Sequence, residues 1–335
     1  MSHTRGKGLL LLLQNLPIVL LLVVFVVFSL LDPRFFDPNT LINIARQASY
    51  VGILAVGMTF VLLTAGIDLS VGAIAYLSAV LVSKLLLGTP MPVWGIALAM
   101  AGIGLVAGLL NGAALSVLRI TPFIITLAAM GIFRGYALGV SQSREANFPM
   151  GLVQLGNSTV LGIPLPILIF LIVVLVSHLV LTRTTYGRQL YAVGHDPVAA
   201  ERAGIRTKRL IISVYVISGA LAGLAAFVGV IQMGTVVPSF GTGDEFEAIA
   251  AAVLGGASLF GGRGSVFPGT VAGTLLVQMI AVGLVFMQVD LYLTPMISAV
   301  VIFLAVLLDT IRTRQLDKLA KKRIRNEDRA GAGAG

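Results

Sequence analysis

The chain alternates between long apolar runs and short polar intervals. The first apolar run covers residues 9–31, behind Arg5 and Lys7. Runs at 47–64, 70–87, 93–118, 122–140 and 164–181 follow. A polar interval at 182–209 separates these from 210–232, 246–260, 266–287 and 291–308. A hydrocarbon core of ~30 Å takes about 20 helical residues. The runs therefore predict an all-α, polytopic membrane protein of one domain, residues 1–335, with about ten transmembrane helices. The first run is too long for a signal-peptide core and no small-residue cleavage site follows it, so it reads as a retained span. The run 246–260 is short, reaching only ~22 Å at 1.5 Å per residue. It reads either as a re-entrant half-helix or, as the basic C-terminal tail argues, as a crossing completed by irregular backbone, which is tolerated at membrane depth only where protein or a watery cavity surrounds it. Gly255, Gly256, Gly261, Gly262 and Gly264 mark the expected place.

The basic residues give the orientation. The interval 182–209 carries Arg183, Arg188, Arg202, Arg206, Lys208 and Arg209, and the tail 310–335 carries a further run of Lys and Arg. If six spans precede the loop and four follow, these segments and the tail 1–8 share one side. Basic loops stay in the cytoplasm, so both termini and the 182–209 loop are expected there. The basic tail is expected to meet anionic lipid headgroups.

Composition narrows the function classes. Of 335 residues, 57% are apolar and 11% charged, against about 25% charged in a soluble protein. That excludes an ordinary soluble enzyme, a disordered protein and a nucleic-acid binder, despite the net charge of +9. No cysteine is present, so there is no thiolate metal site and no cysteine nucleophile. His3, His178 and His195 are scattered. No Gly-rich loop ends in Gly-Lys-Ser/Thr, so the chain carries no phosphate cradle of its own. No catalytic residue, metal or cofactor is expected.

Three groups of polar residues remain. Asp68, between two apolar runs, has two readings. It caps a helix starting at Leu69 with Ser70 close by, or it lines a path or its inner gate. Ser70, Asn111, Phe123, Thr126, Gln232 and Gln278 join it as path candidates. Arg134 is the one charge well inside a run and is expected to pair with a helix-end carbonyl, because intramembrane charges face protein or water. Asp244, Glu245 and Glu247 open a short helix, where acids favour the dipole. Alternatively, with Arg144 and Glu145 of the outer loop, they form a docking surface.

The third group lies in the 182–209 loop. Asp196 suits an N-cap, Pro197 the first helical position and Gly204 the stop. The capping box is incomplete, with Ala199 at its third position. A helix of two turns is not stable alone, so either its own spans or a partner's groove holds it. This stretch resembles the cytoplasmic coupling segment of ABC-transporter permeases. In the sugar-importing branch that segment runs as a polar residue and Pro, an Ala pair, then Gly-Ile. Asp196-Pro197, Ala199-Ala200 and Gly204-Ile205 match, while Val198 stands where that branch usually has Glu. Gly66-Ile67-Asp68-Leu69-Ser70-Val71-Gly72 resembles the most characteristic signature of the ribose-type permeases. Asn111-Gly112, Thr121-Pro122-Phe123-Ile124-Ile125-Thr126-Leu127 and Arg134-Gly135 follow in family order. So do Gly243-Asp244-Glu245-Phe246-Glu247-Ala248 and the glycines of 255–264.

The resemblance implies the permease subunit of a binding-protein-dependent ABC importer for a monosaccharide, pentose-like, in a bacterial inner membrane. It implies a second permease subunit, identical or similar, and a periplasmic sugar-binding protein. A cytoplasmic ATPase subunit would dock on Asp196, Pro197, Ala199, Ala200, Glu201, Gly204 and Ile205. Two rivals stand beside it. A branched-chain amino-acid permease would be expected to show paired intramembrane charges. An ion-coupled secondary transporter of a small neutral solute would need an ion site, for which Asp68 alone is thin.

Overall fold

The computed structural model describes residues 16–118 and 120–290, with the single positions 293, 296, 297, 299, 300, 303 and 307 beyond them. The expected tails 1–8 and 310–335 and most of the run 291–308 lie outside the described residues.

The described chain is overwhelmingly helical. Its helices are α1 (Leu16–Leu31), α2 (Pro38–Leu63), α3 (Val71–Leu86), α4 (Val93–Leu118), α5 (Pro122–Ser141) and α6 (Met150–Gly156). They continue as α7 (Leu165–Arg183), α8 (Thr185–His195), α9 (Pro197–Arg202), α10 (Thr207–Met233), α11 (Asp244–Leu254) and α12 (Val271–Phe286). Four two-residue strands form two small antiparallel pairs: β1 (Ala146–Asn147) with β4 (Thr235–Val236), and β2 (Thr159–Val160) with β3 (Ile163–Pro164). Among the described residues, six helical segments are long and apolar enough to cross a membrane: α2, α4, α5, α7, α10 and Val266–Phe286. α1 and α3 are apolar but shorter.

Local chemistry explains the starts. Asp37 accepts the Asn39 N–H at 2.7 Å and Pro38 occupies the first position, where a missing N–H costs nothing. That cap starts α2 well before the apolar run at 47–64, because polar Asn39, Asn43, Arg46 and Gln47 continue the same helix. Hydropathy marks the apolar part of a helix, and capping marks its end.

α2 is the centre of the protomer, buried almost continuously from Ala48 to Leu63. α10 runs antiparallel to it: Gln232 donates to the Arg46 carbonyl at 2.9 Å, Gly229 lies by Tyr50, and Gly57 lies on Ser218. α4 packs on α10 backbone to backbone. A Cβ on Gly104 would run into the Gly219 carbonyl, one on Gly108 into the Tyr215 carbonyl, and one on Gly223 into the Met100 carbonyl. Four-residue spacing puts these glycines on one face of each helix, and in lipid such close contact replaces the missing hydrophobic drive.

Two stretches of irregular backbone penetrate between the helices. α2 ends at Leu63, whose carbonyl accepts the Gly262 N–H at 3.0 Å. The chain then folds back through Ala65, at φ 58°, so that Asp68 stands beside Ser218, midway along α10. α3 starts from there. On the other side of the molecule, the segment after β4 turns inward through Gly241 and Gly243, both at positive φ. A Cβ on Gly72 would strike the Gly241 carbonyl, so the tips of the two stretches touch. α11 leads from this meeting point back to the α2 C-terminal end. There Gly261 and Gly262 lie on Gly194 and His195 of α8. The irregular backbone expected at 255–264 is thus present, but a second stretch, at 237–243, precedes α11. Pro238, Ser239, Gly241 and Gly243 are turn formers in the sequence, and they carry this turn.

Candidate functional site

Two places gather the residues singled out above. The first is the α8–α9 corner at the C-terminal end of α2. Thr184 caps α8 by accepting the Gly187 N–H at 3.2 Å. Asp196 ends α8 and starts α9. Its Oδ1 accepts the N–H groups of Val198 and Ala199, each at 2.9 Å, and Pro197 holds the first position. The stop is a Schellman motif: the Ile205 N–H donates to the Ala200 carbonyl and the Gly204 N–H to the Glu201 carbonyl, both at 3.0 Å, with Gly204 at φ 84°. Such a stop requires a left-handed residue, for which glycine is favoured, and an apolar contact between the flanking residues. Ala200 is buried and Ile205 half-buried, as that contact requires. Pro197, Val198, Ala199 and Glu201 are exposed. The short helix is tied to the core through α8. A Cβ on Gly194 would collide with the Leu63 carbonyl, and the Tyr191 hydroxyl donates to the Gly264 carbonyl at 2.8 Å.

The second place is the Asp68 turn. One carboxylate oxygen accepts the N–H and hydroxyl of Ser70, at 3.0 and 2.6 Å. The other accepts the Ser218 hydroxyl at 3.0 Å. Asn111 donates from its amide to the Ser70 hydroxyl at 2.7 Å. Thr126 and Tyr215 donate to the Ile67 carbonyl at 3.2 and 3.4 Å. The turn thereby joins α4, α5 and α10, and Asp68, Ser70 and Ser218 are fully buried. Two sequence expectations are corrected here. α3 starts at Val71, not Leu69. Asp68 makes an Asx-type turn onto Ser70 rather than capping Leu69, since short carboxylates readily bond backbone two residues on. Of the seven path candidates, Asp68, Ser70, Asn111 and Thr126 converge. Phe123 lies exposed on the first turn of α5, Gln232 bonds Arg46 at the far end of α10, and Gln278 is buried on α12. Tyr215 joins them from outside the path candidates; its sequence signal is a phenol inside an apolar run, which needs a hydrogen-bond partner when buried.

The acidic group divides. Arg144 and Glu145 are exposed beside β1. Asp244 instead accepts the Tyr50 hydroxyl at 2.5 Å, and Glu245 is buried against Gly72. Asp244 and Glu245 therefore do not share an outward surface with Arg144, because the inward dip of 237–243 carries the start of α11 into the protein. Glu247 is half-buried in the same turn. Arg134 finds carbonyls, as expected, but those of the dipping segment: it donates to Pro238 and Phe240, both at 3.1 Å, with its guanidinium 5.4 Å from the Tyr76 ring centre.

Known proteins share this arrangement of sequence. Residues 40–306 match the family described as the branched-chain amino acid transport system / permease component. The chain is 37% identical to the ribose import permease protein of Bacillus subtilis (strain 168) over 298 residues, 88% of this chain and 91% of that one. It is 36% identical to the D-allose transport system permease protein of Escherichia coli (strain K12) over 294 residues, 87% and 90% of the two chains. With the fructose import permease protein of Rhizobium meliloti it shares 34% over 306 residues, 88% and 84%. No solved structure matches. The ordered motifs, the helical membrane-spanning architecture and this similarity along the chain make it a member of that permease family, in its ribose-type, monosaccharide branch of ABC-importer permeases.

Proposed function

We propose that the chain is the membrane-spanning subunit of an ATP-driven importer of a small neutral monosaccharide, pentose-like in size. It pairs with a second permease subunit in a bacterial inner membrane, receives sugar from a periplasmic binding protein, and docks a cytoplasmic ATPase on α9. The observation that carries this reading is the α8–α9 corner. A helix too short to be stable alone is capped at both ends, turns Val198, Ala199 and Glu201 outward, and rests through backbone contacts on the end of the central helix.

The mechanism follows from how rigidly that corner is attached. Gly194 puts the α8 backbone directly on Leu63 and Gly262, with no side chain to absorb a shift. Closure of an ATPase pair would push α9 and α8 together against the end of α2 and the glycine segment before α12. Displacing them moves the Asp68 turn at one side and α11 at the other. These two segments meet at Gly72 and Gly241, and interrupted helices in the two halves of a transporter are a pointer to its substrate path. Asp68, Ser70, Asn111 and Thr126 act in this reading as the brace that holds the inner segment of the path. Phe123, Gln232 and Gln278 are left as outlying path candidates, and Arg144 and Glu145 as the exposed contacts for the binding protein. A neutral sugar needs no fixed counter-charge, in keeping with Asp68, Asp244 and Arg134 hydrogen-bonded within the protein.

The test is purification from the native host in mild detergent, with mass spectrometry of what accompanies the chain. An ATPase subunit in roughly equal amount is expected with the wild type and is lost in the double variant Asp196→Lys, Gly204→Pro, which still inserts but takes up no sugar. Normal uptake by that variant, or uptake driven by an ion gradient in ATPase-free vesicles, would overturn the reading.

A further inference from the structure

A cleft opens between α3, α4 and α5. α3 contributes Leu77, Leu81 and Leu85, at four-residue spacing on one face. α4 contributes residues from Ala99 to Leu110, and Phe133 of α5 completes the lining. Every lining residue is apolar, and the cleft holds about 470 Å³. The Asn111–Ser70 bond closes the inner side, next to Leu110 on α4 and about two turns before Leu77 on α3. Its other end is at Leu85 and Ala99.

Water does not satisfy such a site, because it needs two or more polar partners. From Ala99 to Leu110 the cleft runs roughly 16 Å at 1.5 Å per residue, about half of a ~30 Å hydrocarbon core and so the depth of one leaflet. Over that length its volume corresponds to a cross-section on the order of 30 Å². A partner helix, about 10–12 Å across with its side chains, is too wide; an extended hydrocarbon chain is not. The surface around the cleft is apolar as well, with Leu98, Leu105 and Leu109 of α4 exposed.

Lys84 supplies the polar end. It is the single charge on α3 and α4, adjoins Leu85 in sequence, and is exposed. Among the described residues it has no ion-pair partner. Two other cations of the same end of the bundle do find protein partners: Arg34 pairs with Asp32 at 2.6 Å and Arg46 donates to Asn157 at 3.2 Å. We propose that the cleft holds one acyl chain of a glycerophospholipid whose phosphate pairs with Lys84.

The experiment reconstitutes the full chain in vesicles containing a phospholipid with a photoreactive diazirine on one acyl chain, and maps the adducts by peptide mass spectrometry. Adducts are expected to concentrate on residues 77–85 and 99–110, above the density on the exposed face of α7 at Leu171, Leu175 and Leu179. Gly102→Leu fills the cleft; a Cβ there meets nothing within 4 Å, so the fold is retained and the cleft adducts fall to the α7 level. Lys84→Gln, an exposed change, lowers them about fivefold in vesicles of an anionic phospholipid, the factor for one lysine at such a surface. Cleft adducts no denser than those on α7, or unchanged in both variants, would overturn the proposal. So would a disulfide-linked dimer from Leu81→Cys in the cysteine-free chain, which would assign the cleft to a second copy.

Discussion

Asp68 holds a carboxylate among hydroxyls with no cation among its hydrogen-bond partners. What stabilises it is geometry, since each donor is already aimed at an oxygen. Asp68→Ala leaves the Ser70 and Ser218 donors buried without an acceptor, at about 1–3 kcal/mol for each unpaired group. Asp68→Asn keeps one acceptor oxygen for Ser70 and offers an amide to the Ser218 hydroxyl, which can turn to accept. The melting temperature in detergent is expected to drop clearly for Asp68→Ala and little for Asp68→Asn. Equal drops would mean that the charge, not the donor pattern, is what the site requires. The motif that spells this turn was legible in the sequence, but its partners were not: Ser218 and Tyr215 lie about 150 residues downstream, and only packing brings them to it.

At the scale of elements, helix ends and helix contacts follow different rules. α9 is defined by its ends, so its weak point is Gly204. Gly204→Ala forces a side chain into a left-handed backbone at roughly 1–2 kcal/mol, while Gly204→Asn is tolerated there. If α9 is the ATPase dock, sugar uptake should fall in the Ala variant and recover in the Asn variant; a deficit shared by both would point to the loss of glycine itself. The α4–α10 contact is defined by what is absent from its faces. Gly108→Val drives a side chain into the Tyr215 backbone, where overpacking costs typically 1–3 kcal/mol. Gly88→Ala, whose Cβ meets nothing within 4 Å, serves as the control. Melting in detergent should separate the two, and identical curves would argue against the close crossing.

For the whole molecule, the arrangement rests on contacts between distant segments. The hydroxyls of Thr59 on α2 and Thr270, at the entry to α12, are 2.7 Å apart across 211 residues. The chain has no cysteine, so Thr59→Cys with Thr270→Cys reports without background. Mild oxidation should join the two peptides by a disulfide, read by mass spectrometry. A pair that stays reduced after unfolding-free oxidation would contradict the packing of α12 on the central helix.

The helical membrane class, the apolar helices, the family and the capped helix at Asp196–Ile205 were legible in the sequence, whereas the helices at 150–156 and 185–195 were not. Each of the legible features depends on composition, hydrophobic length or hydrogen bonds between near neighbours, which a linear chain displays. That α2 is the centre, that Asp244 and Glu245 face inward, and that a second irregular segment at 237–243 meets the Asp68 turn emerges from packing alone. In a membrane protein apolar residues face both lipid and core, so hydropathy does not tell one face of a helix from the other. Backbone contacts such as Gly72 on Gly241 depend on where two distant segments come to rest.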